Sequence, residues 1–236
     1  MKELASDAYC LAPDMPGYGD ADKPFDFDYS TDGYARHIGG IVKELGIRRA
    51  HLVLHDLGGP WGLAWAAANP DALASLTLIG IGALPGYRWH WFGQLYRRRI
   101  LGELVLATST AATFRWAGSQ GSRNGLPREF VERSARSYRD RSTRRAVLAY
   151  YRATPDLGAV TVASADALRE ANPRTLVVWG RGDPYLPVKY AAIQRDFFER
   201  SEIHVLDGSG HWPHLDDPAA VAGLLQRFLS RQQPSI

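Results

Sequence analysis

Three residues able to do chemistry stand at or just beyond the ends of short apolar runs. Asp56 closes Leu52-Val53-Leu54-His55. Asp183 follows Thr175-Leu176-Val177-Val178-Trp179 by way of Gly180-Arg181-Gly182. His211 lies in the loop Asp207-Gly208-Ser209-Gly210-His211-Trp212-Pro213, after an apolar run over 203–206. A carboxylate can attack an electrophilic carbon, an imidazole can take a proton from water, and a second carboxylate can orient that imidazole and stabilise its charged form. Each also has a plainer use: Asp56 as a helix N-cap, Asp183 in a turn, His211 in a loop. No spacing of His, Cys and Asp suggests a metal site.

The elements around them decide between these uses. Gly58 and Gly59 follow Asp56 at once, and Trp61, Leu63, Ala64, Trp65, Ala67 and Ala68 then read as a helix. This strand–sharp turn–helix projects one side chain over the end of a sheet, and small neighbours let the helix start close to the strand. The helix N-terminus behind Asp56 favours negative charge there. Upstream, Ala8 to Ala12 reads as a short strand containing the only cysteine, Cys10, which is expected in the core. Asp32 is placed to cap a helix over about 33–45, ended by Gly46. Leu76 to Ile81 reads as a buried strand, 187–198 as an amphipathic helix and 218–230 as a closing helix. Between 85 and 165 the text is helical, aromatic and rich in arginine, with 14 Arg and no Lys against 5 Asp and Glu.

The H-D-x-G-G turn resembles the elbow of the α/β-hydrolase superfamily, with Asp56 in the place of the usual Ser and Leu54 in that of the first Gly. It is most similar to the branch with an aspartate nucleophile, the epoxide hydrolases and haloalkane dehalogenases. The order Asp56, Asp183, His211 is the superfamily's order of nucleophile, acid and histidine, and Ala12-Pro13-Asp14 with Gly17 and Gly19 resembles its A-P-D-x-x-G-x-G loop. The resemblance implies an α/β-hydrolase fold: a mostly parallel sheet with helices on both faces and an inserted helical cap. Residues 1–84 would be the first part of the core, 85–165 the cap and 166–236 the second part of the core. It also implies an alkyl-enzyme ester on Asp56, hydrolysed by water that His211 activates, with the Leu57 N–H as an oxyanion donor and no cofactor.

Leu148-Ala149-Tyr150-Tyr151-Arg152 resembles the epoxide hydrolase segment ending in Trp-Tyr-Arg, which makes Tyr151 one of two cap tyrosines that donate to the epoxide oxygen. Tyr87, Tyr96 and Tyr138 are candidates for the second. The residue after the nucleophile is Leu57, where the dehalogenases place a halide-binding Trp, so only Trp89 or Trp91 is left to hold a halide. An epoxide is therefore favoured over an alkyl halide. The family's H-G-x-P loop and its first three strands have no counterpart in the 236 residues, so the fold is expected to be N-terminally truncated. Met1 to Ser6 resembles the tail of the helix before Ala8, and that strand must pair with the elbow strand or lose its partner. A dehalogenase is one alternative reading; an inactive α/β-hydrolase that binds a ligand or partner through its cap is another.

Composition fits this class. Apolar residues make up 45% of the chain, so it is not disordered. No apolar run reaches the length of a membrane span and no secretion signal is visible, which points to a cytoplasmic enzyme with a small-molecule substrate and no membrane. The arginines of the middle segment come with no nucleic-acid motif and read as solvated helix faces. His55 is expected to point away from Asp56 by strand alternation, His37 and His51 to be structural, and His214 to sit behind the site. The oligomeric state is left open.

Overall fold

In a computed structural model, which describes residues 2–5 and 8–231, four strands form one parallel sheet in the order β1 (Ala50–His55), β2 (Leu73–Ile79), β3 (Thr175–Gly180) and β4 (Ser201–Leu206). Because all four run the same way, their C-terminal ends share one edge, where ligands of open α/β sheets bind. The two central strands, β2 and β3, are buried on both faces, which alternate along each strand. In β3, Leu176 and Val178 face one apolar cluster with Val221, Leu224, Leu225 and Phe228, while Val177 and Trp179 face the main core.

The helices follow the apolar pattern. On the core side are α1 (Thr31–Glu44) and α2 (Gly58–Ala68). Between β2 and β3 run α3 (Trp91–Arg97), α4 (Leu101–Ala107), α5 (Ala111–Gly121), α6 (Arg128–Ser137), α7 (Arg141–Ala153) and α8 (Leu157–Ala167). The chain ends with α9 (Lys189–Phe197), α10 (Pro213–Asp216) and α11 (Pro218–Ser230), the last covering the second face. α8 runs past residue 165 and packs on α2.

Several local expectations are corrected. Residues 8–12 form no strand: no described strand lies beside them, so the backbone has no ladder to join, and Tyr9 is 89% exposed. Cys10 is accordingly half-exposed and not in the core. The outer edge of β1 is open, with Val53 47% exposed. Met1 and Ser6 of the N-terminal segment lie outside the described residues, and Lys2–Leu4 form a single 3-10 turn. The N-cap of α1 is Ser30, whose hydroxyl accepts from the Gly33 N–H, not Asp32, which sits inside the first turn.

The turn after β1 owes its shape to Gly59 more than to Gly58. A Cβ on Gly59 would lie 2.2 Å from Ile81 and one on Gly62 2.3 Å from Leu54, whereas one on Gly58 would meet nothing within 4 Å. These two close approaches seat α2 against the strand layer, which fixes where Asp56 emerges.

Candidate active site

Asp56 has φ +46°, a left-handed conformation uncommon for a residue with a side chain. Backbone strain of this kind persists where the surroundings hold it, here between a strand paired to β2 and a helix packed through Gly59 and Gly62. It lifts the carboxylate off the strand end, leaving it 49% accessible. Asp183, after β3, is the opposite: its side chain is fully buried, with Oδ1 accepting the N–H groups of Tyr185 at 2.8 Å and Leu186 at 2.9 Å. Its Oδ2 lies 2.9 Å from Nδ1 of His211, after β4. The other ring nitrogen, Nε2, stands 3.7 Å from Oδ1 of Asp56, an ion contact rather than a hydrogen bond. The three sequence candidates are thus brought together in the order Asp56, His211, Asp183.

The charges reinforce one another. Burial alone would lower the pKa of His211, but Asp183 and then Asp56 outweigh it and raise it to about 10. Burial alone would raise Asp56; the His211 imidazole, with smaller contributions from His55 and His90, holds it well below the usual carboxylate range. The resting array is therefore a carboxylate facing an imidazolium backed by a second carboxylate.

His55 does not point away as alternation suggested. Its Nε2–H donates to the main-chain oxygen of His211 at 2.8 Å, and its ring meets those of His211 and His214 at 4.9 and 4.7 Å. The loop after β4 folds back over the end of β1 and finds the far side of that residue. His214 is buried behind this pair; His51 bonds Ser75, and His37 meets the ring edge of Phe27.

The family model described as alpha/beta hydrolase fold matches residues 1–218. The chain belongs to this family. It is a hydrolase of the α/β fold. It is 29% identical to a 2-hydroxymuconate semialdehyde hydrolase of Pseudomonas sp. (strain CF600), over 98% of this chain and 79% of that protein. It is 23% identical to epoxide hydrolase 1 of Caenorhabditis elegans, over 99% of this chain and 61% of that one. In structure it is similar to a loop variant of the haloalkane dehalogenase DbeA from Bradyrhizobium elkanii, with a TM-score of 0.83, 22% identity and coverage of 98% and 83% of the two chains. That last likeness shows the fold alone.

In this α/β-hydrolase a cavity of about 280 Å³ opens over Asp56, Leu57 and His211. Its far walls come from α3 (Phe92, Tyr96), α5 (Phe114, Ala117, Gly118), α6 (Phe130, Ser134) and α7 (Tyr151), with Tyr138 just beyond α6. No Lys or Arg lines it. Among the described residues the hydroxyls of Tyr96, Tyr138 and Tyr151 have no hydrogen-bond partner, whereas that of Tyr87 accepts from the His90 N–H and that of Tyr185 donates to Ala117. Burial first, and then the Asp56 carboxylate, push the Tyr151 hydroxyl well above its usual value, so it stays protonated as a donor. Tyr138 is raised by burial, Tyr96 and Asp56 in turn.

Two of the sequence candidates are not placed to bind a halide. Trp89 lines the cavity, but its indole N–H donates to the Thr154 carbonyl at 2.8 Å. Trp91 is 52% exposed, stacks on Phe92 and does not line the cavity. One lining residue went unrecognised in the sequence: His90 caps α3 through Nδ1, which accepts from the Gly93 N–H at 3.4 Å. Burial lowers its pKa to about 4, so the ring is neutral with its proton on Nε2. Its one sequence cue was its place just before the α3 pattern.

Proposed function

We propose that the chain is an epoxide hydrolase-like enzyme working through an ester on Asp56. The observation that carries this reading is the Asp56 carboxylate on its strained turn, facing a cavity of unpartnered tyrosine hydroxyls, with His211 and Asp183 behind it. An Asp56 oxygen attacks an epoxide carbon, the ring C–O bond breaks, and the leaving oxygen takes a proton from Tyr151. Tyr138, whose hydroxyl also acts on that of Tyr151, is the second donor. Esterification removes the Asp56 charge that helps keep His211 protonated, so the imidazolium proton passes to the Tyr151 phenolate left by ring opening, and the neutral imidazole then takes a proton from water. Hydroxide then adds to the Asp56 carbonyl carbon and the Leu57 N–H, which the helix itself cannot satisfy, receives the oxyanion; the ester C–O bond breaks, and the leaving oxygen takes the proton of the new carboxyl, so the diol departs and the Asp56 carboxylate and imidazolium are restored. Asp183 keeps the imidazole oriented throughout.

Two other readings are less well supported. A halide is less well served: the Trp89 indole N–H is committed to Thr154 and Trp91 is outside the cavity, which leaves Trp212 as the one lining indole without a hydrogen-bond partner among the described residues. A muconate-type substrate, such as the Pseudomonas relative's name implies, brings a carboxylate into a cavity with an anionic Asp56 and no Lys or Arg.

The test is intact mass after brief mixing of His211→Ala with styrene oxide. A gain equal to the mass of the epoxide is expected, and it should vanish when Asp56→Ala is added. No adduct, together with no diol from the wild type, would overturn the reading; chloride released from a chloroalkane would replace it with dehalogenation.

A further inference from the structure

Gly210 and His211 direct their backbone N–H groups away from the sheet. The His211 N–H donates to the Gly121 carbonyl at the end of α5, at 2.5 Å. The Gly210 N–H donates to Oδ2 of Asp216 at 2.8 Å. The other oxygen of the same carboxylate accepts the Ser122 hydroxyl at 2.5 Å and, at 3.4 Å, the Asn124 N–H. The Asn124 side-chain amide adds a bond to the Asp216 carbonyl at 3.0 Å. Contact here is close enough to require glycine: a Cβ on Gly210 would lie 2.1 Å from the Gly121 oxygen. One half-buried carboxylate thus joins the loop of the histidine to residues 122 and 124, which follow the helix whose Ala117 and Gly118 wall the cavity.

We propose that Asp216 is a positioning residue for His211: it clamps the histidine loop to the segment after α5, so that the imidazole is in register with Asp56 only while that segment is seated. The proposal rests on the reading of His211 as the base. Nδ1 of His211 is held by Asp183 and its ring packs against those of His55, Tyr185 and Trp212, and where that ring stands relative to Asp56, 3.7 Å away, depends on where the backbone of residues 210 and 211 lies. That backbone is held by the two donors just described and, at the His211 carbonyl, by His55. The Ser122 hydroxyl bonds Asp216 and neither Gly210 nor His211, so removing it acts on His211 through Asp216.

The test compares wild type, Ser122→Ala, Asp216→Ala and the double variant by amide hydrogen exchange and by styrene oxide turnover. Ser122→Ala is mild enough to fold whatever becomes of Asp216→Ala. Exchange at the Gly210 and His211 amides is expected to rise about tenfold in Ser122→Ala and more in Asp216→Ala. kcat should fall about 10- to 100-fold with KM held, since binding groups are untouched and only alignment is lost. The two substitutions should be clearly non-additive. A merely structural Asp216 would lower the melting temperature and the fraction of active enzyme but leave kcat per active molecule unchanged, which overturns the proposal. Unchanged exchange at residues 210 and 211 in both single variants overturns it as well. If the wild type turns over no epoxide, the function reading fails by itself, and the exchange result alone decides the clamp.

Discussion

At the scale of the residue, the most informative departure from the sequence pattern is His55. Strand alternation would turn it to the opposite side of β1 from Asp56, but its ring contacts the site, because the loop after β4 meets it there. Burial, with the neighbouring His211 and His214, holds its pKa near about 3, so it is neutral and keeps the proton on Nε2 that the His211 carbonyl accepts. His55→Phe preserves the ring and removes the donor. The expected cost is about 1–3 kcal/mol in denaturant unfolding, from the carbonyl left unpaired, together with a fall in kcat; full stability with full activity would mean that the bond is idle. Asp56, Asp183 and His211 were legible because each sits just past an apolar run, and the ends of parallel strands converge. His55, His90 and Asp216 were not, since their partners are the His211 carbonyl, the cavity and Ser122, contacts made far along the chain or by the fold as a whole.

At the scale of the element, the strands and most helices follow from apolar periodicity, and the misreadings have a common cause. A strand is a property of two segments: Ala8 to Ala12 has the composition of one but no neighbour among the described residues, so it stays irregular. A cap is decided by which oxygen reaches a free N–H; Ser30 reaches that of Gly33 and leaves Asp32 in the first turn. The two glycines after Asp56 looked alike in sequence and differ in the fold. Gly62, one turn further on, is the more demanding position, and a pair of substitutions separates the roles. Gly62→Ala forces a Cβ to 2.3 Å from Leu54 and is expected to destabilise by about 1–3 kcal/mol. Gly58→Ala enters open space at the helix start and is expected to be neutral or to stabilise by about 0.4–1 kcal/mol. Urea unfolding of both variants measures the difference; equal effects would remove Gly62 from the account of how the elbow is seated.

At the scale of the whole molecule, the histidines around the strand ends set how stability depends on pH. His55 is pushed down to about 3 and His90 and His214 to about 4, mainly by burial. In the unfolded chain each titrates near about 6.5. Below that pH the unfolded state therefore binds more protons than the folded one, and stability falls as pH drops. His211 works in the other direction. Burial opposes its charge, but Asp183 and Asp56 raise it to about 10, so its contribution is complete below about 6.5 and is lost as pH climbs through about 10. The depressed Asp56 adds stability that disappears only at lower pH, below its unfolded value of about 3.9. The two histidine limbs meet near about pH 6.5, where the melting temperature should be greatest, declining on both sides. His211→Gln should flatten the alkaline limb and leave the acid limb in place, because the three buried neutral rings are still there. A melting temperature that keeps rising to about pH 9 in the wild type would mean that His211 is not held charged between its two carboxylates, and the order of proton transfers on which the ester mechanism depends would have to be rewritten.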